Sequence, residues 1–366
     1  MTGVPDPRQG RVLALCPLGL GSFLMATPAL RVLSRELGRE RLSALVLKQS
    51  TGSMAEGSGL FRRTFMFDPD SEGVLGALAG LREIRRERST HSLALYPSAN
   101  AKAAVFHRLV GAGFRMGFDY PNQPAARRVQ HRSVPLQPGH DVEQNLRLVE
   151  AFLGAPVADA GGPFFPLPLE YPEGLPDEAY FACHPGSSIE RGMVEKRLSP
   201  EAFAALIGRV FAETGWRCVL VGGPEEAGLR DEVAAKCREA VVDVPTGSLE
   251  QTAGVLRRAR FLLANDSGLM HLAAAVGTRC AAFFGPTDER RTGPYGYWED
   301  VAGAPRHLIL RRPGTEPYWT QATLGRNPRM DPAMRTKWEL DVPEAWERMR
   351  AWIAALGPVA ADGDAV

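Results

Sequence analysis

Three short segments of the sequence combine residue types that bind phosphate, and each directly follows a run of apolar residues. They are Pro17–Ser22 (PLGLGS), His184–Ser188 (HPGSS) and Asn265–His271 (NDSGLMH), and Lys196 lies a few residues beyond the second. Glycines let a backbone approach a ligand closely, and N–H groups at a helix start favour anions. A lysine side chain neutralises phosphate as a point charge. The pattern is compatible with a site for a phosphorylated ligand.

Each segment also has an ordinary structural interpretation, and the residues alone leave both open. Pro17–Ser22 fits a tight strand-to-helix turn with Ser22 as the helix N-cap. His184–Ser188 fits a polar surface loop. Asp266 and Ser267 lie where a predicted strand passes into a helix, so Asp266 is either an N-cap or a ligand for sugar hydroxyl groups.

Metal binding has little support in the sequence. The seven histidines lack the spacing of metal ligands, and the five cysteines are widely separated. Asp68 and Asp70 flank Pro69, which fits a turn better than a metal-binding acidic pair. We therefore expect no metal site. We also expect no disulfide framework, which fits a reducing cytoplasm.

The elements that must position these segments alternate between short apolar runs and helical patterns. This alternation predicts βαβ units around parallel sheets, whose ligands bind outside the carboxyl ends of the strands. The predicted strands are 11–16, 42–47, 64–67, 91–96, 180–183, 217–221, 241–242, 261–264 and 279–284, and the predicted helices are 23–37, 73–86, 101–110, 200–214, 249–257, 267–276 and 343–355, with one more ending at 237.

A proline-rich stretch divides the chain into two similar halves. Six prolines fall within residues 156–176, where neither a helix nor a central strand can continue. We predict an α/β protein with two lobes and a cleft between them. The predicted N-terminal lobe is 1–165 and the C-terminal lobe 176–340. A helical segment, 341–366, is expected to pack back on the N-terminal lobe.

Length and composition narrow the class of protein. The chain has 366 residues, of which 45% are hydrophobic and 23% charged, and this balance is typical of a globular protein. A formal net charge of +1 argues against a dedicated nucleic-acid partner. No apolar run approaches the roughly 18 residues of a membrane span, and the N-terminus lacks a signal-peptide pattern. We expect a cytoplasmic protein with no integral membrane segment and at most a peripheral membrane contact.

Four segments together resemble glycosyltransferase family 9, the heptosyltransferase family of lipopolysaccharide core assembly. They are LCPLGLGSFLMATPALRVL near the start, HPGSS with a downstream Lys-Arg, LVGGPEE, and NDSGLMHLAAAVGTRCAAFFGPTD with GPYG. The resemblance covers residues 11–38 and about 180–300. It implies a GT-B fold with two Rossmann-like lobes. It also implies metal-independent, inverting transfer of a sugar, typically heptose, from an ADP-linked donor that is the substrate, without a separate cofactor.

The resemblance also implies roles for individual residues. The acceptor would bind the first lobe and the nucleotide sugar the second. Ser22, Lys196 and Asp266 fall at the catalytic positions. Among the donor-binding positions, Ser187, Ser188 and Lys196 would contact the phosphates, Glu226 the ribose, Thr246 and Gly247 the base, and Asp266, Ser267, Gly268 and His271 the diphosphate and sugar.

One position departs from the family pattern. The family has an aspartate, the proposed general base, where this chain has Ser22, and a serine hydroxyl is a poor base near neutral pH. One explanation is that another group replaces it, for which Asp119, His140, Asp141 and Glu190 are candidates. Alternatively, the acceptor is a more acidic nucleophile, or the protein binds a nucleotide sugar without transferring it. A nucleotide-sugar 2-epimerase of the same fold is a further alternative.

The acceptor is less constrained than the donor. The tail lacks the cysteine-rich segment of many relatives, so a glycan, a lipid-linked or a small-molecule acceptor is expected. Arg127, Arg128, His131 and Arg132 form a basic cluster in the first lobe. It is either a contact for an anionic acceptor or a solvated loop.

Overall fold

The computed structural model describes residues 6–16, 19–46, 49–67, 73–188, 190–301, 303–324 and 330–356. The chain folds as two compact units that divide between Leu167 and Pro168. A short segment that begins at Gln321 belongs to the first unit, and the chain then returns to the second. The division falls inside the proline-rich stretch 156–176, which contains no helix or strand.

Unit 1 is a six-stranded parallel sheet with helices between its strands. In the order along the sheet, each strand lies beside the next as β3-β2-β1-β4-β5-β6. The strands are β1 (Val12–Cys16), β2 (Leu42–Val46), β3 (Arg63–Met66), β4 (His91–Ala94), β5 (Phe114–Asp119) and β6 (Arg132–Pro135), and the helices are α1 (Leu20–Leu37), α2 (Gln49–Gly57), α3 (Gly73–Arg86), α4 (Ala101–Leu109), α5 (Pro124–Val129) and α6 (Asp141–Leu153).

Unit 2 repeats this arrangement. Its main sheet has six parallel strands in the order β14-β11-β10-β7-β8-β9, and β12 and β13 form a separate antiparallel pair. The strands are β7 (Tyr180–His184), β8 (Arg217–Leu220), β9 (Val241–Val242), β10 (Leu262–Asn265), β11 (Cys280–Phe283), β12 (Asp300–Val301), β13 (Ala304–Pro305) and β14 (Leu308–Leu310), and the helices are α7 (Pro200–Thr214), α8 (Ala227–Lys236), α9 (Leu249–Arg258), α10 (Gly268–Ala275), α11 (Glu289–Thr292) and α12 (Val342–Ala354).

The strand order explains where a ligand can bind. Every residue of β1, β2, β7, β10 and β11 is buried, as expected for parallel strands covered on both faces. In each unit the first three strands are added successively towards one edge of the sheet and the next three towards the other edge, which is the Rossmann order. This strand order reverses between β1 and β4 in unit 1 and between β7 and β10 in unit 2. The predicted pair of Rossmann-like α/β units is confirmed.

The first helix starts earlier than the sequence suggests. α1 begins at Leu20 with Gly19 as its N-cap, so the interpretation of Ser22 as the N-cap is wrong: Ser22 lies in the first helical turn. This also places Pro28 inside the helix, where it has no N–H to donate to the carbonyl of Leu24. The hydroxyl group of Thr27 donates to that carbonyl instead, over 2.7 Å.

The C-terminal helix corrects a second expectation. α12 does not pack on unit 1 as predicted but belongs to unit 2, where Trp346, Met349 and Trp352 share one core with Phe181 and Phe261. The ring of Trp352 meets that of Phe261 edge to face at 5.5 Å between centroids, and its indole N–H donates to a backbone carbonyl. The apolar face of α12 thus covers the sheet of unit 2.

Among the described residues, none of the helices combines the length and the apolar character that crossing a membrane requires.

Candidate functional site

The candidate site lies where the strand order of unit 2 reverses, between β7 and β10. His184 is the last residue of β7 and Asn265 the last residue of β10, its neighbour in the sheet. Helix α10 starts immediately afterwards, with Ser267 as N-cap accepting a hydrogen bond from the N–H of Met270. Its free N–H groups therefore lie at the position where open α/β sheets bind anionic ligands.

A buried ion pair lies beside the start of this helix. The Lys196 Nζ and Asp266 Oδ2 atoms are 3.2 Å apart, and the two side chains are only 10% and 8% exposed. Lys196 ends the short 3-10 helix Glu190–Lys196, which is 70 residues away in sequence from Asp266. The structure thus brings together two residues that the sequence predicts to act together.

A second polar chain connects Glu226 with the start of α10 through His184. The His184 Nε2 atom is 2.9 Å from Glu226 Oε2, and its Nδ1 atom is 2.9 Å from Ser267 Oγ. Burial raises the pKa of Glu226, but the hydrogen bond and charge of His184, the N–H of Gly223 and the charge of Arg197 together lower it. Glu226 is therefore a carboxylate near neutral pH.

Asn265 fixes both ends of the loop that carries the predicted phosphate ligands. Its side chain is fully buried. The Oδ1 atom accepts the N–H of Leu198 at 2.8 Å, and Nδ2 donates to the carbonyls of Pro185 and Gly186 at 2.7 and 3.2 Å. One amide thereby holds the start and the end of segment 185–198, which includes Lys196.

The hydroxyl group of Ser187 is engaged within this loop. It donates to the carbonyl of Met193 at 3.2 Å and accepts from Arg197 Nε at 3.1 Å. Ser188, in contrast, is exposed. A pocket of about 350 Å³ adjoins the segment and is lined by Arg197 and other residues of unit 2. Lys196 and Asp266 are not among its lining residues, so it lies beside the ion pair.

His271 and Gly268 lie on α10. Burial lowers the pKa of His271 to about 4, with the charge of Asp266 raising it and that of Lys196 lowering it. His271 is consequently uncharged near neutral pH and can contribute hydrogen bonds but no positive charge. Gly268 is the first residue of the helix.

Thr246 and Gly247 lie apart from this group. They follow β9, which is two strands away from β7 in the sheet. The N–H of Gly247 donates to Gln251 Oε1 over 2.8 Å, and Gly247 is exposed. Among the described residues of unit 2, neither of them forms a hydrogen bond with Lys196 or Asp266.

The residues proposed to act as a base belong mostly to unit 1. Ser22 is half-buried in the first turn of α1. Asp119 lies 3.6 Å from an Arg127 nitrogen, at a partly exposed position. His140 caps α6 and accepts the N–H of Val142 at 3.2 Å, and Asp141 is buried.

Some sequence predictions fall on parts that the structure does not describe. These are Pro17 and Leu18 of the first glycine turn, the Asp68–Asp70 turn and the side chain of Glu190. In the predicted basic cluster, Arg132 donates to the carbonyl of Ala151.

The residues that the structure describes contain no group of three or more histidine, cysteine, aspartate or glutamate side chains able to hold a metal ion.

Sequence reasoning missed the two residues that organise the site, His184 and Asn265. Both were noted only as members of motifs. Their partners lie 42 to 83 residues away along the chain, so no local pattern reveals them. The available signal is positional: each is a polar residue that ends a buried apolar strand just before a turn.

Comparison with known proteins identifies one family. The sequence profile of glycosyltransferase family 9 (heptosyltransferase) matches residues 82–307. Lipopolysaccharide heptosyltransferase 1 of Pseudomonas aeruginosa is 32% identical over 199 residues, which are 53% of this chain and 54% of that protein. The protein of the same name from Escherichia coli K12 is 38% identical over 120 residues, 32% of this chain and 36% of that protein. The chain spans about half the length, or less, of these curated relatives.

Solved structures share the fold over most of the chain. A glycosyltransferase family 9 protein from Veillonella parvula aligns with a TM-score of 0.64 at 21% identity, covering 84% of this chain and 87% of that one. The E. coli heptosyltransferase WaaC with ADP-2-deoxy-2-fluoro heptose aligns with a TM-score of 0.65 at 20% identity, covering 89% and 98%. At these identities, the similarity is one of fold.

Proposed function

This chain belongs to glycosyltransferase family 9, and on that premise we propose that it transfers a sugar from a nucleoside diphosphate to a hydroxyl acceptor. The donor is ADP-heptose, which serves as substrate without a further cofactor. The acceptor is a glycan of lipopolysaccharide type, a lipid-linked glycan or a small molecule. The names of the curated relatives and the ADP-heptose analogue bound to a structural neighbour support this choice.

The observation that carries the proposal is the buried Lys196–Asp266 pair at the start of α10. A buried ion pair adds little net stability, because removing both charges from water offsets their attraction. Its position where the strand order reverses, beside free helix N–H groups, favours anion binding instead. Lys196 and these N–H groups would hold the diphosphate, and Asp266 would accept hydrogen bonds from the sugar.

We propose inverting transfer that needs no metal ion. The acceptor oxygen forms a bond to the anomeric carbon while the bond from that carbon to the diphosphate oxygen breaks on the opposite face. The acceptor gives up its proton, and the leaving diphosphate gains negative charge. Lys196 stabilises that charge, and a preorganised donor of this kind contributes about 3 kcal/mol to lowering the barrier.

A second candidate, a nucleotide-sugar binder that does not transfer, is favoured by Ser22. This residue lies in the first turn of α1, and its hydroxyl group cannot take up a proton usefully near neutral pH. The absence of a positioned base costs about 10²–10⁴ in rate. Under the first proposal another group, such as His140 or Asp141, takes the proton or the acceptor is more acidic.

One experiment distinguishes these functions. ADP-, GDP-, UDP- and dTDP-linked sugars are first compared by thermal shift, since a bound ligand raises the melting temperature. Transfer to lipopolysaccharide-type acceptors is then measured for the wild type, Ser22→Asp and the control Ser53→Asp, an exposed position on α2. Transfer by the wild type supports the enzyme. If the wild type binds a donor without transferring its sugar, and only Ser22→Asp transfers it, the result supports a nucleotide-sugar binder.

Two further outcomes would contradict both candidates. Donor turnover without any acceptor would indicate an epimerase. A wild type that binds none of the four donors would remove the basis for a nucleotide-sugar site.

As to location, we propose the cytoplasm, since the five cysteines are free thiols, which fits a reducing compartment.

A further inference from the structure

We propose that His184 is a positioning residue that links the ribose end of the donor site with its diphosphate end. This inference rests on the proposed function, in which Glu226 holds the ribose and the start of α10 holds the diphosphate. His184 is the last residue of β7, where the strand order of the sheet reverses, and it is only 3% exposed. Both of its ring nitrogens are within 2.9 Å of a partner from a different element.

The hydrogen-bond roles of the ring follow from its partners. The Glu226 carboxylate only accepts, so His184 Nε2 carries a proton and donates to it. The Nδ1 atom lies 2.9 Å from the Ser267 hydroxyl, a group that can either donate to this nitrogen or accept from it. The same Ser267 oxygen accepts the N–H of Met270 as N-cap of α10. One imidazole therefore orients a carboxylate on one side and the hydroxyl of a helix cap on the other.

Two glycines make this orientation strict. A Cβ atom at Gly186 would lie 1.7 Å from Glu226 Oε1, and one at Gly222 would lie 2.7 Å from Glu226 Oε2. The carboxylate thus occupies space that only glycines leave free. Gly223 donates its N–H to the same Oε2 atom at 3.1 Å. Losing the bond from His184 would free one side of this carboxylate, and its position over the glycines would no longer be fixed.

Two substitutions test the two hydrogen bonds of His184 separately. His184→Asn places an amide near the position of Nδ1 and can keep the bond to Ser267, whereas His184→Gln places it near Nε2 and can keep the bond to Glu226. Binding of adenosine, inorganic pyrophosphate and ADP is measured by calorimetry. We expect His184→Asn to lower the affinity for adenosine about tenfold and to leave the affinity for pyrophosphate unchanged. We expect His184→Gln to do the reverse, and both substitutions to lower the affinity for ADP.

Controls separate positioning from general damage to the fold. His107→Gln alters another buried histidine, in unit 1, whose Nε2 atom is 2.9 Å from Ser92 Oγ. It should leave all three affinities within twofold of the wild type. If the His184 variants do not fold, Glu226→Gln and Ser267→Ala remove its partners one at a time and should give the same division between adenosine and pyrophosphate.

The outcomes distinguish this inference from the proposed function. If the wild type binds ADP but both His184 variants bind all three probes like the wild type, the inference is wrong. Equal weakening of adenosine and pyrophosphate by both variants would also contradict it, since that result indicates a structural role only. A wild type that does not bind ADP would overturn the proposed function itself, and the inference with it.

Discussion

The two units share one strand order, and each has a buried asparagine that holds the backbone. They differ in the charged residues that lie beside this asparagine. Each asparagine is fully buried and binds the backbone just beyond a central strand, β4 in unit 1 and β7 in unit 2. Asn145 of α6 accepts the N–H of Tyr96 and donates to the carbonyls of Tyr96 and Asp141. Asn265 makes the same set, one accepted and two donated bonds, to the backbone of the loop around Lys196.

The difference lies in what surrounds each amide. In unit 1 the chain beyond β4 is held through a hydroxyl, because the N–H of Ser98 donates to the Tyr120 oxygen at 2.8 Å. In unit 2 the residue after Asn265 is Asp266, which forms the buried pair with Lys196. The fold thus needs a buried amide in both units to hold an irregular strand end. The Lys196–Asp266 pair is added beside the amide of unit 2 only, and we propose that this addition serves the anionic part of the donor.

Among the substitutions that test this difference between the units, replacing Lys196 should have the largest effect on activity. Lys196→Met removes the cation that the proposal assigns to the leaving diphosphate, so transfer should fall about 10²-fold and ADP affinity at least tenfold. The substitution also leaves Asp266 as a buried unpaired charge, which destabilises unit 2. Steady-state kinetics and calorimetry measure the two effects.

A second lysine of unit 2 provides the matched control for this prediction. Lys236 pairs with Glu201 at 2.9 Å on the surface, and such exposed pairs contribute little. Lys236→Met should keep both transfer and ADP affinity. Equal losses in the two variants would mean that Lys196 has no special role.

The two asparagines allow the same comparison at a smaller scale. Asn265→Asp and Asn145→Asp each replace an amide that donates two bonds by a group that only accepts, and each should lower the melting temperature by several degrees. Only Asn265→Asp should also raise the KM for the donor, by about tenfold, because only that amide holds the loop of Lys196. Melting curves and donor kinetics are measured on both variants. A similar change in KM for Asn145→Asp would contradict the assignment of the donor to unit 2.

The sequence predicts the framework of both units well, because buried parallel strands are short apolar runs with clear ends. The bounds of α3 and α7 agree with the prediction, and β1 differs by one residue. The strands β5 and β6 were missed. Their burial is only partial, so polar residues interrupt the apolar pattern.

The site was predicted in its charged residues but not in the groups that hold them. Lys196 and Asp266 come from motifs and meet as expected. The partners of His184 and Asn265, in contrast, are set by which strands become neighbours, and that information is not local. The position of α12 was wrong for the same reason, since an amphipathic helix shows that it covers a core but not which core.

The smallest expected difference between the units is their response to acid. Burial lowers the pKa of His271 to about 4 and of His307 to about 3, both in unit 2, and that of His107 in unit 1 to about 4. A histidine with a lowered pKa stays neutral in the folded state while the unfolded chain takes up a proton below about pH 6.5. The contribution of these buried histidines to the free energy of unfolding is therefore fully present above pH 6.5 and is lost as the pH falls towards 4. His271 alone accounts for about 3 kcal/mol of this loss, and unit 2 has two such groups.

The tryptophans make this difference measurable. All six of them belong to unit 2, so their fluorescence follows its unfolding alone, and hydrogen exchange of β1 follows unit 1. Between pH 7 and 4.5 the fluorescence transition should shift to lower temperature by more than the exchange of β1 indicates. His271→Gln removes one titrating group and should make the fluorescence transition less dependent on pH. Identical pH dependence of the two probes would show that the buried histidines of unit 2 do not control its acid stability, and the electrostatic contrast between the units would then be confined to Lys196 and Asp266.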